Sequence, residues 1–248
     1  TRKIRFVANR PWLDEASTSR PGPIIKTLPD WYRAADRYAM SPETGKPWEQ
    51  PDGGGKIPTW KACPAVFDIM GSGYTYKTPC DIEFSEDATG NVHARILDPQ
   101  HQNFLLDRDP LPQFLPPAGY HDKHFAWWAD WAVELPAGYS ALYTHPLNRF
   151  ELPFLTTSGI VDNDKDHLPG TMPFFFKKGI LNGGRGIVPA GTPYAQIIPF
   201  RWEHWESEYD TSLTVEEMEA KNKANSLRFR KPDGGIYQKE VWERLKYL

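Results

Sequence analysis

Apolar and polar residues alternate with a period of two over many short stretches of this chain, and that pattern predicts strands. The stretch "KIRFVAN" (3–9) reads as a first strand. "YTYKTPCDIEF" (74–84) reads as another, with Pro79 at an edge or bulge, and "NVHARIL" (91–97) as its hairpin partner across an "ATGN" turn. Further strands are predicted over 124–136 ("HFAWWADWAVELP"), 137–147, 155–164, 171–179 and 192–203. Helical signals are fewer. Pro29 and Asp30 open a short helix within 20–39, and "CPAVFDIMGSG" (63–73) reads as a short helix ending at glycine. Residues 212–229 have Ser212 or Thr214 as N-cap with glutamates in the first turn, and 236–248 reads as a second short helix. Residues 41–58, 98–123 and 179–192 read as loops and turns. The expected class is α+β with β dominant: one β-rich domain over 1–206 with a short α/β entry, then a helical tail over 207–248.

Composition sharpens this picture. Twenty-four prolines and ten tryptophans in 248 residues favour short strands and ordered loops over a helical bundle. The net charge of -3 gives no general attraction to nucleic acid. No apolar stretch reaches membrane-spanning length, and no leader-type apolar region follows the basic start, so a soluble, intracellular protein is expected. Cys63 and Cys80 read as reduced thiols, with a bridge or metal site as the alternatives. "DGGGK" (52–56) lacks the spacing of a phosphate-binding loop and reads as surface.

Several polar residues stand where chemistry would need them. Asp162 follows the apolar pair Ile160–Val161, so its carboxylate is either a strand-end cap with Asn163 and Asp164, a catalytic or sugar-binding group, or part of a cation loop in "DNDKD". His145 is held extended by Pro146 and serves as a general acid/base or anion contact beside Arg149, or as a structural pin. His121, Asp122 and His124 would share a face as a metal cluster only on a helix, and their segment follows "LPPAG" and precedes a strand, which speaks against one. The aromatics of "FAWWADW" read as core or subunit interface, with base stacking as the alternative.

The motifs "FAWWADWAVELPAGYSALYTHPLNR", "SGIVDND" and "IVPAGTPYAQIIPF" resemble, in order and spacing, the core of the dUTPase and dCTP deaminase family over 125–200. The resemblance implies a β-clip fold. It implies that Asp162 lies under a deoxyribose and orients water, that Gln196 stands on a strand beside the cleft, and that Asp81 helps hold magnesium. Tyr139, Asn148, Arg149 and Asp164 are then ligand contacts, with His145 as a second catalytic candidate. Two departures stand out: "THPLNRFELP" replaces the family's Arg-Ser-Gly phosphate motif, and the glycine-rich C-terminal lid has no counterpart. Without those backbone donors, triphosphate chemistry loses charge stabilisation. Through "LPDWYR", "KACPAVFDIMGSGY", "PCDIEF" and the motifs above, most of the chain also resembles a family known mainly from tailed bacteriophages, including phages of marine cyanobacteria.

Three readings follow. The first is a phage-encoded, non-catalytic binding or virion-associated protein on a dUTPase-like scaffold. The second is a nucleotide hydrolase or deaminase-like enzyme, with magnesium. The third is a phage factor that captures a host protein. Self-association as a dimer or trimer is implied by the same resemblance.

Overall fold

A computed structural model describes residues 2–51, 55–108, 115–165, 170–181, 184–229, 241–244 and 246–248. The alternating stretches form antiparallel strands, in chain order β1 (Arg5–Ala8), β2 (Gly22–Pro23), β3 (Tyr74–Lys77), β4 (Ile82–Glu86), β5 (Val92–Ile96), β6 (Leu105–Arg108) and β7 (Tyr120–Trp128). There follow β8 (Trp131–Glu134), β9 (Tyr139–Thr144), β10 (Phe154–Thr156), β11 (Gly159–Val161), β12 (Thr171–Lys177), β13 (Arg185–Val188) and β14 (Pro193–Arg201). The α-helices are α1 (Asp30–Ala34), α2 (Pro64–Gly71) and α3 (Val215–Phe229). The protein is therefore α+β and β-dominated.

The described chain divides into two compact units. One comprises 1–27, 73–202 and 247–248, and holds all fourteen strands. The other comprises 28–72 with 203–246, and holds the three α-helices. Residues 28–72 thus group with the C-terminal segment.

Four sheets build the strand unit, in the orders β1-β8, β10-β12-β7-β6, β11-β9-β14-β3-β2 and β13-β4-β5. Its core is aromatic. Trp127 of β7 stacks on Phe174 of β12 at 3.8 Å and 8°, and Phe84 of β4 stacks on Phe176 at 4.3 Å. These side chains are fully buried, each worth roughly 1.5–3 kcal/mol by area alone, with the stacks adding about 0.5–1.5 kcal/mol. The buried indole N–H donates to Thr156 Oγ1 at 3.1 Å, and that hydroxyl donates to the Tyr194 carbonyl at 2.6 Å. The Trp127 N–H and the Thr156 hydroxyl are thereby both satisfied inside the core.

Several predicted strands are divided. The run 124–136 breaks at Ala129–Asp130, so β7 and β8 enter different sheets; the Asp130 carbonyl accepts from Asn9 N, one step beyond the β1–β8 pair Ala8↔Trp131. The run 74–84 divides around Pro79, with β3 and β4 in separate sheets, so Pro79 marks a crossing and not a bulge. The run 155–164 likewise divides into β10 and β11. Two strands arise in segments that read as loops: β6 pairs with β7, and β13 pairs with β4. Prolines inside strands lie where a neighbouring ladder has ended. Pro173 of β12 sits just beyond the last β10 pair, Thr156↔Phe174, and Pro199 of β14 lies past the last β3 pair, Ile197↔Tyr74.

In the helical unit, Pro64 occupies the first turn of α2. Thr214 caps α3: Glu217 N donates to Thr214 Oγ1 at 3.2 Å, and Thr214 N donates to Glu217 Oε2 at 2.9 Å. Ser212 instead bonds Asp210. Of the helix expected over 236–248, residues 236–240 and 245 lie outside the described residues, and 242–244 and 246–248 are not helical. No helix among the described residues is long and apolar enough to cross a membrane.

Gly73, at φ +78°, tests the close packing: an added Cβ would stand 2.1 Å from the Ile197 carbonyl oxygen. Gly138 has the same backbone sign, φ +79°, with open space around it. In denaturant titrations, Gly73→Ala is expected to cost about 3 kcal/mol or more, and Gly138→Ala about 1 kcal/mol. Equal losses would mean that the strand unit yields at Gly73.

Candidate functional site

The motif strand β11 pairs with β9 in the register Gly159↔Tyr143 and Val161↔Ala141. Beside it, residues 170–173 lead into β12. Between them lies a cavity of about 180 Å³, walled chiefly by Tyr76, Tyr143, Val133, Asn163, Met172 and Pro173, with Ser158 and Gly159 at one side. A cavity of about 150 Å³ is enough for a benzene ring, so this space admits one six-membered ring.

The polar wall of the cavity is built by the turn that follows β11. Asp162 and Asn163 follow the end of β11 in a tight turn that leaves Asp162 outside and buries Asn163 almost completely. The Asn163 backbone is held on both sides: its carbonyl accepts from Leu135 N and its N–H donates to the Val161 carbonyl. Tyr143 Oη donates to Asn163 Oδ1 at 3.0 Å, and Tyr76 Oη donates to the Trp131 carbonyl at 2.6 Å. Burial pushes both phenol groups far above their ordinary range, so they remain protonated donors. The arrangement offers fixed amide and hydroxyl groups on an otherwise apolar wall, which suits recognition of a flat heterocycle.

The candidates named from sequence fall at the two ends of β9. At its start, Ser140 Oγ donates to Asp162 Oδ1 at 2.7 Å, and Lys165 Nζ lies 3.7 Å from Asp162 Oδ2. Gly138 N donates to Asp164 Oδ2 at 2.8 Å, and the Arg2 guanidinium lies 4.9 Å above the Tyr139 ring. Asp162, Asp164 and Tyr139 thus hold two turns together, with the Asp162 side chain half exposed.

At the far end, the groups that read as anion contacts make internal bonds. His145 Nδ1 accepts from Thr156 N at 3.4 Å, which leaves the Nε2–H to donate to the Arg149 carbonyl at 3.2 Å. Burial lowers the His145 pKa, so the neutral ring fits these two backbone partners. Arg149 donates through Nη1 to the Thr27 carbonyl at 2.9 Å and pairs through Nε with Glu151. Gln196 is fully buried, and its Oε1 accepts from Leu147 N at 2.9 Å. Asn148 takes φ +60°, the left-handed conformation that a turn at this corner needs and asparagine tolerates. Ser140 and Thr144 are four residues apart on β9, roughly 13 Å of strand. The two groups do not converge on one reacting centre.

Asp81 stands apart from both, accepting from Ala190 N through Oδ1 at 2.7 Å. Among the described residues, no group of three or more His, Cys, Asp or Glu is placed to hold a metal ion. His121 and His124 lie on β7, where residues three apart point to opposite faces. Cys63 and Cys80 are both free thiols. Sequence reasoning missed Tyr143 as a site residue and took Asn163 only for a turn partner; Asn163 does lie in the turn after β11, and its burial against the cavity depends on long-range packing.

No protein-family profile and no curated protein matches the chain. Among solved structures, a dUTPase from phage phi11 of S. aureus, described with its species-specific insert, is similar at 15% identity. The match covers 44% of this chain and 92% of that one, with a TM-score of 0.27. A likeness that loose identifies no shared site.

The buried histidines set a pH dependence. Burial lowers both His145 and His124 below the ordinary 6.5. As pH falls, the unfolded chain takes up these protons first, so their contribution is fully present above about pH 6.5 and is lost below it. Urea midpoints are expected to fall between about pH 6.5 and 5, and His145→Gln to flatten that slope. An unchanged slope in the variant would remove His145 from this account.

Proposed function

We propose that the chain is a non-catalytic binding protein on a dUTPase-like β-clip scaffold, of phage origin, whose ligand places one pyrimidine-sized ring in the cavity beside β11. The observation that carries this reading is the cavity itself, with Asn163 and Tyr143 fixed on its wall. The motif "SGIVDND" runs along that wall, which supports a nucleoside as the ligand class. The absence of convergence supports binding over hydrolysis: His145, Arg149, Gln196 and Asp81 are all engaged in bonds that hold loops.

A second reading is favoured by one observation. Asp162 is half exposed beside Asn163, so its carboxylate can meet solvent next to a ring held in the cavity. A nucleotide hydrolase would use Asp162 to orient water. The capture of a virion or host protein is supported by the exposed Trp205 and Tyr209, and self-association rests on the sequence resemblance alone.

Calorimetric titration of deoxyuridine, deoxycytidine and their triphosphates, with and without magnesium, tests the proposal. One nucleoside is expected to bind, and Asn163→Leu to weaken it about tenfold or more, as loss of a buried hydrogen-bonding group requires. Asp162→Ala is expected to leave affinity within about threefold, and chromatography to show no product from any triphosphate. Turnover that disappears in Asp162→Ala would replace this reading with the hydrolase.

A further inference from the structure

The corner between β7 and β8 gathers a second group of polar side chains in the strand unit, and none of them lines the cavity above. Asp130 stands at this corner and is 3% exposed. Three other parts of the chain bring groups to its carboxylate. Arg10 and Ser19 come from the segment after β1, His101 from the short helical turn Pro99–Phe104, and Tyr194 from β14. The Ser19 hydroxyl bonds the carboxylate, and its oxygen accepts in turn from Trp131 Nε1 at 3.4 Å.

The rest of the carboxylate is not met by contact. Asp130 Oδ2 and Arg10 Nη2 are both buried without a hydrogen-bond partner, so they do not bond each other. The Arg10 guanidinium instead lies 4.9 Å above the Trp128 ring. The two groups still feel each other: burial raises the Asp130 pKa, while Ser19, His101 and Arg10, in that order, hold it down. Burial, followed by the Asp130 charge, raises Tyr194. A carboxylate has room for several donors, and burying one without them is costly. An orphaned carboxylate oxygen and an orphaned guanidinium nitrogen, close but not touching, point to a molecule that meets both.

The same segment supplies an apolar surface and a way in. Trp12 is 42% exposed and lies edge-on to His101 at 6.4 Å. Arg10, Trp12 and Ser19 all belong to residues 9–20, which form turns with no helix or strand. A movement of this one segment therefore uncovers Asp130 without breaking a sheet.

We infer that this corner binds a free α-amino acid with an apolar side chain. The ligand carboxylate accepts from Arg10 Nη2, its ammonium donates to Asp130 Oδ2, and its side chain lies against Trp12. The two charges of an α-amino acid stand one carbon apart, in the order opposite to that of the protein groups. A simple anion would leave Asp130 Oδ2 orphaned beside a like charge, and a simple cation would do the same to Arg10.

Ligand-observed NMR and calorimetry on the full chain test this with phenylalanine, hydrocinnamate and phenethylamine as probes. Hydrocinnamate lacks the ammonium of phenylalanine, and phenethylamine lacks its carboxylate. Phenylalanine is expected to bind saturably, and each analogue about tenfold or more weakly, as loss of one charge-assisted bond requires. Asp130→Asn is expected to weaken phenylalanine about tenfold or more without lowering the melting temperature, because it removes a buried charge and keeps an acceptor for Ser19. Trp12→Ala, at an exposed position, is expected to weaken phenylalanine about fivefold and to leave glycine unaffected. The inference is overturned by an absence of saturable phenylalanine binding, by either analogue binding as tightly, or by affinity unchanged in both variants.

Discussion

The Trp127 indole organises the strand unit. Its face stacks on Phe174 in the neighbouring strand, and its N–H reaches Thr156, whose hydroxyl continues to the Tyr194 carbonyl in the second large sheet. One side chain thus joins β7, β10, β12 and β14 by apolar contact and by a satisfied polar thread. Buried polar groups cost most when partly paired, so this thread fixes the relative placement of the strands more sharply than apolar packing alone. The cavity beside β11 inherits that placement, because β12 supplies Met172 and Pro173 to its wall.

The same logic distributes the polar residues around β9. At each end of this strand, polar side chains close loops: Asp162 and Asp164 at the start, His145, Arg149 and Gln196 at the finish. Backbone N–H and C=O groups in corners need partners, and these side chains provide them. A residue that holds a corner in this way has little capacity left for a substrate phosphate. The groups that face empty space are different ones, Asn163 and its neighbours on the cavity wall.

Local chemistry was legible in the sequence. The capping box of α3 was readable from Thr214 and Glu217, the β4–β5 hairpin from its turn, and the outward Asp162 from its position after Ile160–Val161. What stayed hidden depended on distant partners. Nothing in the continuous run "FAWWADWAV" announces the break at Ala129–Asp130, because the partners of these two carbonyls come from Asn9, far away in sequence. The β13 strand reads as a turn until β4 supplies its ladder. Likewise, His145 and Arg149 read as anion contacts because a sequence does not reveal which carbonyls they meet. The grouping of 28–72 with 203–246 is long-range in the same way, with Asp68 accepting from the Trp242 indole at 2.6 Å.

The central claim is that the cavity beside β11 takes a ring without chemistry at Asp162. The chain has four methionines, and of these Met172 lines that cavity. Methyl-labelled methionine spectra recorded during a deoxyuridine and deoxycytidine titration therefore read the site directly. The account requires the Met172 methyl resonance to shift saturably with one of them, while Met40, Met70 and Met218 stay in place. A silent Met172 with either nucleoside at saturating concentration would contradict it.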